Sequence, residues 1–363
     1  MYDLIIIGGG PAGTAAAITA ARSGAQVLLL EQGRLPRHKV CGEFVSAESL
    51  ALLQSLLPSR SRLIQEAPCI SEVRIFLDGR QLCAPIAPPA ASISRFHLDY
   101  ALWSAAAAAG AETRLQTPVQ RVSGEGPFRV ETARGVCYAR ALINTSGRWS
   151  TLASAPPARA RHKWLGLKAH FREPSPAGSV DLYFFAGGYC GVQPVAPGLI
   201  NVSAMVRSDS ATSLPAVFAL HPQLRARSAA WLPAGEPVAT SPLLFRRPEP
   251  LRARVLLAGD AAGFVDPFVG DGIALALRSG SAAAECLLPF CHGQVTLAAA
   301  GLVYRKKYER MFLPVFRNAA RLRRLLHLPA PLRAPLVHLL AHTGLPRFIV
   351  RRTRGSAVAD RPV

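Results

Sequence analysis

"YDLIIIGGGPAGTAAAITAARSGAQVLLLEQ", residues 2–32, is the stretch of the chain that decides the fold. Leu4–Ile7 is a continuous apolar run typical of a buried parallel strand, and Val27–Leu30 is a second such run. Between them, small side chains predict a helix that ends near Ser23. Together, these elements predict one βαβ unit of a parallel sheet.

The turn after the first strand has the spacing G-x-G-x-x-G. Gly8 permits a tight turn, Gly10 lets the backbone approach a pyrophosphate, and Gly13 lets the helix pack closely on the strand. The first helical residues, Pro11 and Ala12, lie at an amino end whose free N–H groups and partial positive charge attract phosphate. The turn is therefore a candidate phosphate-binding cradle, with a glycine-rich structural turn as the alternative.

An acidic residue follows the second strand at the distance that a dinucleotide site needs. Glu31 lies about twenty residues beyond the glycines, where its carboxylate can accept hydrogen bonds from a ribose diol. Gln32 is its neighbour and a further candidate for cofactor binding. The cradle and the acid together predict a dinucleotide site, but they do not separate NAD from FAD.

A second motif, "GDAAGFVDPFVGDGIALALRSG", occupies residues 259–280. Val255–Ala258 predicts a buried strand that leads directly into it. Glycines, a proline and aspartates before a helix indicate a backbone shaped to approach a ligand, with the helix amino end aimed at it. The alternative, an ordinary helix N-cap at Asp271, explains one of the three aspartates and not the other two.

The two motifs together resemble the FAD-dependent oxidoreductases that include aromatic hydroxylases, geranylgeranyl reductases and flavin-dependent halogenases. The matching residues of the second motif are Gly259, Asp260, Asp266, Pro267, Gly270 and Gly272. The resemblance implies that Asp260 holds a ribityl hydroxyl and that Pro267 lies beside the isoalloxazine ring. It also implies that the helix beginning at Gly272 and Ile273 points its amino end at the N1–C2=O edge of the flavin.

Other segments extend the resemblance. "RLPRHKVCGEFVSAESL" is similar to the K-x-C-G segment of the geranylgeranyl reductase branch, and its matching residues are Arg37, Lys39, Cys41, Gly42 and Glu43. "SISRFHLDYALW" is similar to the S-R-x-x-L-D helix start, which implies that Arg95 approaches the flavin pyrophosphate. The strand and glycine turn of "ALINTSGRWS" imply that Gly147 lies near the adenine side.

Two departures from the resemblance bear on the reaction. Aromatic hydroxylases usually carry an Asp-Gly pair that serves both flavin and nicotinamide, where this chain has Ser146-Gly147. Geranylgeranyl reductases commonly have Y-x-W-x-F-P, and the corresponding "YCGVQP" of Tyr189–Pro194 lacks the tryptophan. The tryptophan pair of the halogenases is also missing. The resemblance therefore identifies the superfamily and leaves the reaction open.

We expect an FAD-dependent oxidoreductase that acts on a hydrophobic small molecule, whether prenyl, polyketide or aromatic, with NAD(P)H as a candidate electron donor. The missing tryptophan favours monooxygenation by a small margin over reduction of isoprenoid C=C bonds. A non-catalytic flavin-binding electron carrier or scaffold is a third hypothesis. The candidate catalytic residues are Cys41 and Glu43 as acids and Tyr189 on the substrate face. Their structural alternatives are a small buried thiol, a salt bridge to Lys39 or Arg37, and sheet packing.

The predicted parallel sheet takes its strands from separate stretches, so we expect a discontinuous FAD domain of residues 1–70, 94–160 and 251–300. Residues 71–93 and 161–250 alternate strands with turns, including a hairpin at Asp78-Gly79, and predict a substrate domain. The expected fold class is α/β: a Rossmann-like FAD-binding domain with a parallel sheet, an inserted mixed or antiparallel β-sheet domain, and a C-terminal helical tail.

The charge of the chain is uneven. Its 42 Lys and Arg exceed 22 Asp and Glu, for a formal net charge of +20 in 363 residues. Residues 301–363 form a basic helical segment in which we expect breaks at prolines, beginning with Pro314. This segment either docks on anionic lipid or caps the substrate domain. No cluster of cations is interleaved with stacking aromatic residues, so we expect no nucleic-acid partner. The oligomeric state is left open.

Seven scattered cysteines without a C-x-x-C pair predict neither a disulfide framework nor a metal site, and they indicate a reducing compartment. The first apolar run has no basic leader or cleavage site, and no uninterrupted apolar run reaches the length of a bilayer span. We expect a cytoplasmic location, with association at the inner face of the membrane as the alternative.

Overall fold

A computed structural model of the protein describes residues 1–148, 163–326 and 328. Its strands, in chain order, are β1 (Tyr2–Ile7), β2 (Val27–Leu30), β3 (Phe44–Val45), β4 (Cys69–Leu77), β5 (Arg80–Ser92), β6 (Glu112–Arg114), β7 (Val119–Ser123), β8 (Phe128–Thr132), β9 (Gly135–Asn144), β10 (Trp164–Arg172), β11 (Ser179–Phe185), β12 (Gly188–Ala196), β13 (Leu199–Arg207), β14 (Leu232–Pro233), β15 (Val238–Thr240), β16 (Leu251–Arg252) and β17 (Val255–Leu257). Its α-helices are α1 (Pro11–Arg22), α2 (Ala47–Leu56), α3 (Arg95–Ala108), α4 (Leu214–Ala219), α5 (Pro222–Ser228), α6 (Gly272–Cys291) and α7 (Leu297–Leu326).

The first sheet has parallel strands in the order β17–β9–β1–β2–β6. β16 is antiparallel to β17 at one edge, and β8 joins β9 with β7 beside it. The central strand β1 is buried on both faces, and Leu4, Ile5 and Ile6 have no exposed surface. This double burial is why the strand reads as a continuous apolar run in the sequence.

Close backbone contacts hold α1 in place. Gly8 has a positive φ of 109°, and a Cβ on Gly13 would overlap the carbonyl oxygen of Gly8. On the other side of α1, a Cβ on Gly280 of α6 would overlap the carbonyl oxygen of Ala12. The two glycine motifs are therefore packed directly against each other, although they lie at distant positions in the chain.

The helix α6 is long and apolar enough to cross a membrane by length and composition, but 67% of its apolar window is buried inside the protein. It packs on α1 and on α7. It is therefore a core helix of the layer that covers the first sheet.

The second sheet has the order β14–β10–β13–β12–β11–β4–β5–β3, with β15 also paired to β10. Its strands are antiparallel except for the parallel pair β4 and β11. One face of this sheet packs on α4 and α5 around Phe171, Phe218 and Leu224. The opposite face is turned toward the cavity described below. Strand β3 lies within the predicted segment 1–70 but pairs with β5 of the second sheet.

The helix α7 packs beside α6 at one edge of the first sheet. Its buried side chains face α6 and the β16–β17 edge, and the hydroxyl of Tyr304 donates a hydrogen bond of 2.7 Å to the carbonyl of Leu257. The expected break at Pro314 is wrong, because α7 continues through it to Leu326. Tyr308, Phe312 and Val315 are buried on either side of the proline, and this packing offsets the loss of one backbone hydrogen bond. The later prolines of the tail lie outside the described residues.

We expect Gly280→Ala to lower the free energy of unfolding by about 1–3 kcal/mol, because its methyl group would separate α6 from α1. Gly272→Ala is the matched control in the same helix, since a Cβ there meets nothing within 4 Å. Urea unfolding of both variants measures the effect. Equal losses in the two variants would contradict the close helix contact.

Candidate active site

A cavity of about 830 Å³ lies where the carboxyl ends of the parallel strands meet the second sheet. Gly8 follows β1, Glu31 follows β2, Thr145 follows β9 and Gly259 follows the β17 region, and all four line this cavity. In open α/β sheets, ligands bind at this edge, because loops from neighbouring strands diverge there.

The structure brings the predicted site residues together. Those that line the cavity are Gly8, Gly10, Pro11, Ala12, Glu31, Gln32, Arg37, Lys39, Cys41, Glu43, Arg95, Gly147, Tyr189, Gly259, Asp260, Pro267, Gly270, Gly272 and Ile273. Gly13 is outside the lining and serves the close packing of α1 on Gly8. The role of each residue toward a cofactor stays a prediction.

Two helix amino ends face the cavity without a side-chain cap. The N-cap of α1 is Gly10, and neither it nor the residue that precedes α6 makes a side-chain capping hydrogen bond. A Cβ on Gly10 would meet only Arg95, at 3.9 Å, and one on Gly272 would meet nothing within 4 Å. Both amino ends are thus open to a ligand with negative charge.

Glu31 binds the backbone of the turn that leads into the amino end of α1. Its carboxylate accepts hydrogen bonds from the backbone N–H of Gly9 at 2.8 Å and of Gly33 at 2.9 Å. Arg37 donates a third, at 2.8 Å. A carboxylate has roughly four acceptor positions, so one remains for a ribose hydroxyl. The residue therefore shapes the cradle as well as facing its ligand.

Buried guanidinium nitrogens supply the anion-binding groups. Within the described residues, Nε of Arg37 and Nη1 of Arg148 are buried without a hydrogen-bond partner, and both side chains line the cavity. Nε of Arg148 lies 3.5 Å from Oδ2 of Asp260, and its guanidinium lies 4.3 Å above the ring of Phe264. Burial raises the pKa of Asp260, and the charge of Arg148 partly offsets this. Arg148 is not among the predicted site residues, although its position directly after the Gly147 turn was an available signal.

A charge network continues the anion site. Arg95 donates to both oxygens of Asp99, at 2.6 and 2.8 Å, and Nζ of Lys39 lies 3.1 Å from Oδ2 of Asp99. Burial raises the pKa of Asp99, but the charges of Arg95 and Lys39 outweigh it, and the pKa is lowered. Two cations against one carboxylate leave the network with a net positive charge. Open helix amino ends, partnerless guanidinium nitrogens and this charge fit the pyrophosphate of FAD.

The structural alternative for Glu43 was a salt bridge to Lys39 or Arg37. The carboxylate pairs with neither of these residues. It accepts a hydrogen bond from Lys168, and its Oε2 lies 2.9 Å from Nε2 of His170. The reason is that Lys39 is held by Asp99 and Arg37 by Glu31. Both new partners lie on β10, more than a hundred residues away, and no local signal pointed to them.

The environment of Glu43 counts against its predicted role as a proton donor. Burial raises the pKa of Glu43, but the hydrogen bond from His170 and the charge of Lys168 outweigh this effect. The pKa is therefore lowered, and the carboxyl group is ionised at neutral pH. Glu43 instead has a structural role, since its Oε1 also accepts a 2.7 Å hydrogen bond from the backbone N–H of Arg95.

His38, Glu43 and His170 bring three metal-ligating atoms within 4.8 Å of one another. Lys168 and His170 already occupy the two carboxylate oxygens of Glu43. The arrangement is an ion-pair network with a positive partner in place, and not an open cation site.

Cys41 lies in a loop whose backbone is fixed by hydrogen bonds from the second sheet. The side-chain amide of Asn201, on β13, donates to the carbonyl oxygens of Cys41 at 3.1 Å and Gly42 at 3.0 Å. The backbone N–H of Glu43 points at Sγ of Cys41, 3.3 Å away. Glu43 has a positive φ of 62°, which these contacts sustain. The thiol is thus presented to the cavity by contacts from a distant strand.

Tyr189 lies among aromatic side chains at the cavity wall. Its ring centroid is 5.6 Å from that of Phe184 and 5.9 Å from that of Phe268. Burial raises the pKa of Tyr189 well above its usual range, and the charge of Asp266 adds to the shift. The phenol therefore remains neutral at physiological pH.

A family model described as "FAD dependent oxidoreductase" matches residues 3–47. The menaquinone reductase of Mycolicibacterium smegmatis is 30% identical over 328 residues, which cover 78% of this chain and 76% of the relative. The chain belongs to the FAD-dependent oxidoreductases. Digeranylgeranylglycerophospholipid reductase 2 of Methanopyrus kandleri is 27% identical and covers 88% of the chain and 85% of its own length.

Solved structures of flavin enzymes share the fold. A flavin-dependent brominase has a TM-score of 0.82 at 20% identity and covers 98% of this chain and 94% of its own. A geranylgeranyl bacteriochlorophyll reductase-like protein from Thermoplasma acidophilum has a TM-score of 0.71 at 22% identity, over 94% and 92% of the two chains. The predicted family, fold class and FAD cofactor of this oxidoreductase are confirmed.

The aspartate before Pro267 is buried in this flavin enzyme. Burial raises the pKa of Asp266 to about 6, partly offset by the charge and hydrogen bond of Arg323. Nη1 of Arg323 lies 3.2 Å from Oδ2 of Asp266, and the guanidinium lies 4.1 Å above the ring of Phe245. The last turns of α7 are thereby fixed to the loop of the second motif.

We expect Glu43→Gln to lower the free energy of unfolding by about 3–5 kcal/mol, because it leaves the buried ammonium of Lys168 without its counter-charge. Glu285→Gln, which removes the exposed partner of Lys307, should cost less than about 1 kcal/mol. Chemical denaturation compares the two. Adding Lys168→Met to Glu43→Gln should recover part of the lost stability. A loss below about 1 kcal/mol in Glu43→Gln alone would contradict the buried ion pair with Lys168.

The raised pKa of Asp266 fixes the sign of a pH effect. Protonated Asp266 contributes stability that is fully present below about pH 4 and is lost as the pH rises through about 6. Between pH 4 and 7, the wild type should therefore lose about 2 kcal/mol relative to Asp266→Asn. Denaturant unfolding across this range measures the difference. Parallel pH curves for the two proteins would contradict the raised pKa.

Proposed function

We propose that this enzyme reduces a carbon–carbon double bond in an apolar substrate that carries a prenyl chain. The observation that carries the proposal is the cavity wall opposite the FAD cradle, which is a continuous apolar face of the second sheet. The names of the curated relatives, a menaquinone reductase and a digeranylgeranylglycerophospholipid reductase, support reduction and a prenyl substrate.

This apolar face comes from alternate positions on three neighbouring strands. Its side chains, all of which line the cavity, are Val73, Ile75, Leu77, Leu82, Ala84, Ile86, Val180, Leu182 and Phe184. Ile75 lies opposite Leu82 on β5 and Leu182 on β11, so the rows continue from strand to strand. A surface of this kind binds a long hydrocarbon by excluding water and offers no partner for a polar chain.

Gly191 continues this face onto the next strand, where it leaves open space. It lies on β12 between Leu182 of β11 and Ser203 of β13, and it lines the cavity. A Cβ there would make ordinary contact with Leu182 at 3.4 Å, so a methyl group fits and a large ring would project into the cavity. The missing tryptophan of the Y-x-W segment thus corresponds to added room above the sheet.

Bound FAD supplies the redox chemistry, and the chain supplies position and a proton. Cys41 is the proposed proton donor at Sγ, because it lies at the cavity wall between the cradle and the second sheet. The backbone N–H of Glu43 contacts this sulfur at 3.3 Å and fixes its position at the wall. We also propose that the neutral phenol of Tyr189, two residues before Gly191 on β12, orients the substrate.

Monooxygenation is the second candidate, favoured by Gly191 in place of the reductase tryptophan. We propose NAD(P)H as the electron donor in transient contact, because the sequence has one cradle of the G-x-G-x-x-G type between two strands. We also propose a cytoplasmic location, which the seven free cysteines support.

The test is product analysis with the FAD-loaded enzyme. Chemically reduced enzyme is mixed with menaquinone in detergent, with and without oxygen. The mass of the product is measured by mass spectrometry. After any quinol has been reoxidised in air, we expect a product that is still heavier by two hydrogen atoms, located in the prenyl chain, and that forms without oxygen. A product heavier by one oxygen atom, formed only with oxygen, would replace reduction by monooxygenation.

Size variants of Gly191 test the substrate face in the same assay. We expect Gly191→Phe to lower kcat/KM by about tenfold or more through loss of substrate space, with unchanged FAD content. Gly191→Ala is the matched control and should stay within about threefold of the wild type. Equal activity in Gly191→Phe would show that the substrate does not lie on this face.

A further inference from the structure

The exposed side of α7 carries a row of cations, which we name the basic stripe. Its members are Lys306, Arg310, Arg317, Arg321 and Arg324. Their spacings of four, seven, four and three residues place all five on one side of a helix with 3.6 residues per turn. The stripe runs for about 27 Å along the helix.

The stripe lies opposite the side of α7 that packs on the protein. The buried positions Tyr304, Tyr308, Phe312, Val315 and Ala319 follow the same helical period, about half a turn away. All five members of the stripe are exposed to solvent. Leu302 and Val303, at 45% and 56% exposure, add apolar surface at the start of the helix.

Among the described residues, which end at 328, the cations of the stripe form no ion pair, and exposed Glu309 is the single acidic residue of α7. Other cations of the same helix do form ion pairs: Lys307 pairs with Glu285, and Arg323 pairs with Asp266. Like charges at i,i+4 positions, such as Lys306 and Arg310, destabilise a helix. Five aligned and unpaired cations therefore present a surface that an external polyanion would stabilise.

The last turn of α7 joins this surface to the cavity. Leu322, Leu325 and Leu326 line the cavity, while Arg321 and Arg324 of the same turn belong to the stripe. A helix with its side chains is about 10–12 Å across, so the stripe lies about one helix diameter from the end of an apolar cavity.

We propose that the basic stripe docks the enzyme on an anionic lipid surface and that docking brings the end of the apolar cavity close to the bilayer. Lipid headgroups supply the negative charge, and each cation near such a surface strengthens binding. Lipid is favoured over a duplex nucleic acid, because the exposed side chains of Leu302 and Val303 and the apolar end of the cavity lie close to the stripe. This inference concerns binding and stands independently of the reaction.

The experiment is vesicle flotation of the full-length, FAD-loaded protein. Phosphatidylcholine vesicles with and without phosphatidylglycerol are compared at low and high salt. We expect the wild type to prefer the anionic vesicles at low salt. Replacing the five cations of the stripe by glutamine should lower the bound fraction about tenfold or more.

A variant with the same charge change provides the matched control. Its substitutions, all at exposed arginines away from α7, are Arg60→Gln, Arg121→Gln, Arg134→Gln, Arg172→Gln and Arg225→Gln. This variant should bind the vesicles like the wild type. Unchanged FAD absorbance and thermal unfolding show that both variants are folded.

Three outcomes would overturn the proposal. They are a wild type without preference for anionic vesicles, an equal loss in the two variants, and binding to duplex DNA as tight as to the vesicles. Because flotation needs no turnover, an enzyme that fails to reduce a prenyl substrate can still pass this test. Failure of the docking proposal and failure of the proposed function are therefore distinguishable.

Discussion

The buried carboxylate of Glu43 is the contact on which the site depends. It joins the loop after β2 to Lys168 and His170 of the second sheet, and it also receives the backbone N–H of Arg95 at the start of α3. None of its side chain is exposed, so water cannot replace a lost partner. The ion pair is therefore required even if it adds no net stability, because removing either charge leaves the other buried and unpaired.

The cavity has two ends with different physical characters. At one end, uncapped helix amino termini and the cations around Asp99 create a positive field that fits a pyrophosphate. At the other end, alternating strand residues form an apolar wall where water is excluded. Cys41 lies between them, and Asn201 fixes the backbone on which it stands. A redox cofactor and a hydrocarbon substrate can meet at this boundary without either entering the environment of the other.

Local patterns were predictable from the sequence, and long-range partners were not. The glycines of the first motif and the Asp78-Gly79 hairpin were found because their backbone needs are local; Asp78 and Gly79 have φ values of 52° and 72°. Lys168, His170 and Asn201 were missed because tertiary pairing alone brings them to the loop. The helix through Pro314 was missed for a related reason, since burial of its neighbours outweighs a local helix-breaking preference.

The strand order has a consequence for how the protein is made. The central strand β1 is synthesised before its neighbour β9, which follows more than a hundred residues later, and before β17, which follows more than two hundred residues later. Until these strands arrive, one hydrogen-bonding edge of β1 has no native partner and its apolar faces lack cover. The nascent chain therefore cannot complete this sheet during early translation. The cradle that combines the amino ends of α1 and α6 is complete only after α6 has been synthesised and packed on α1.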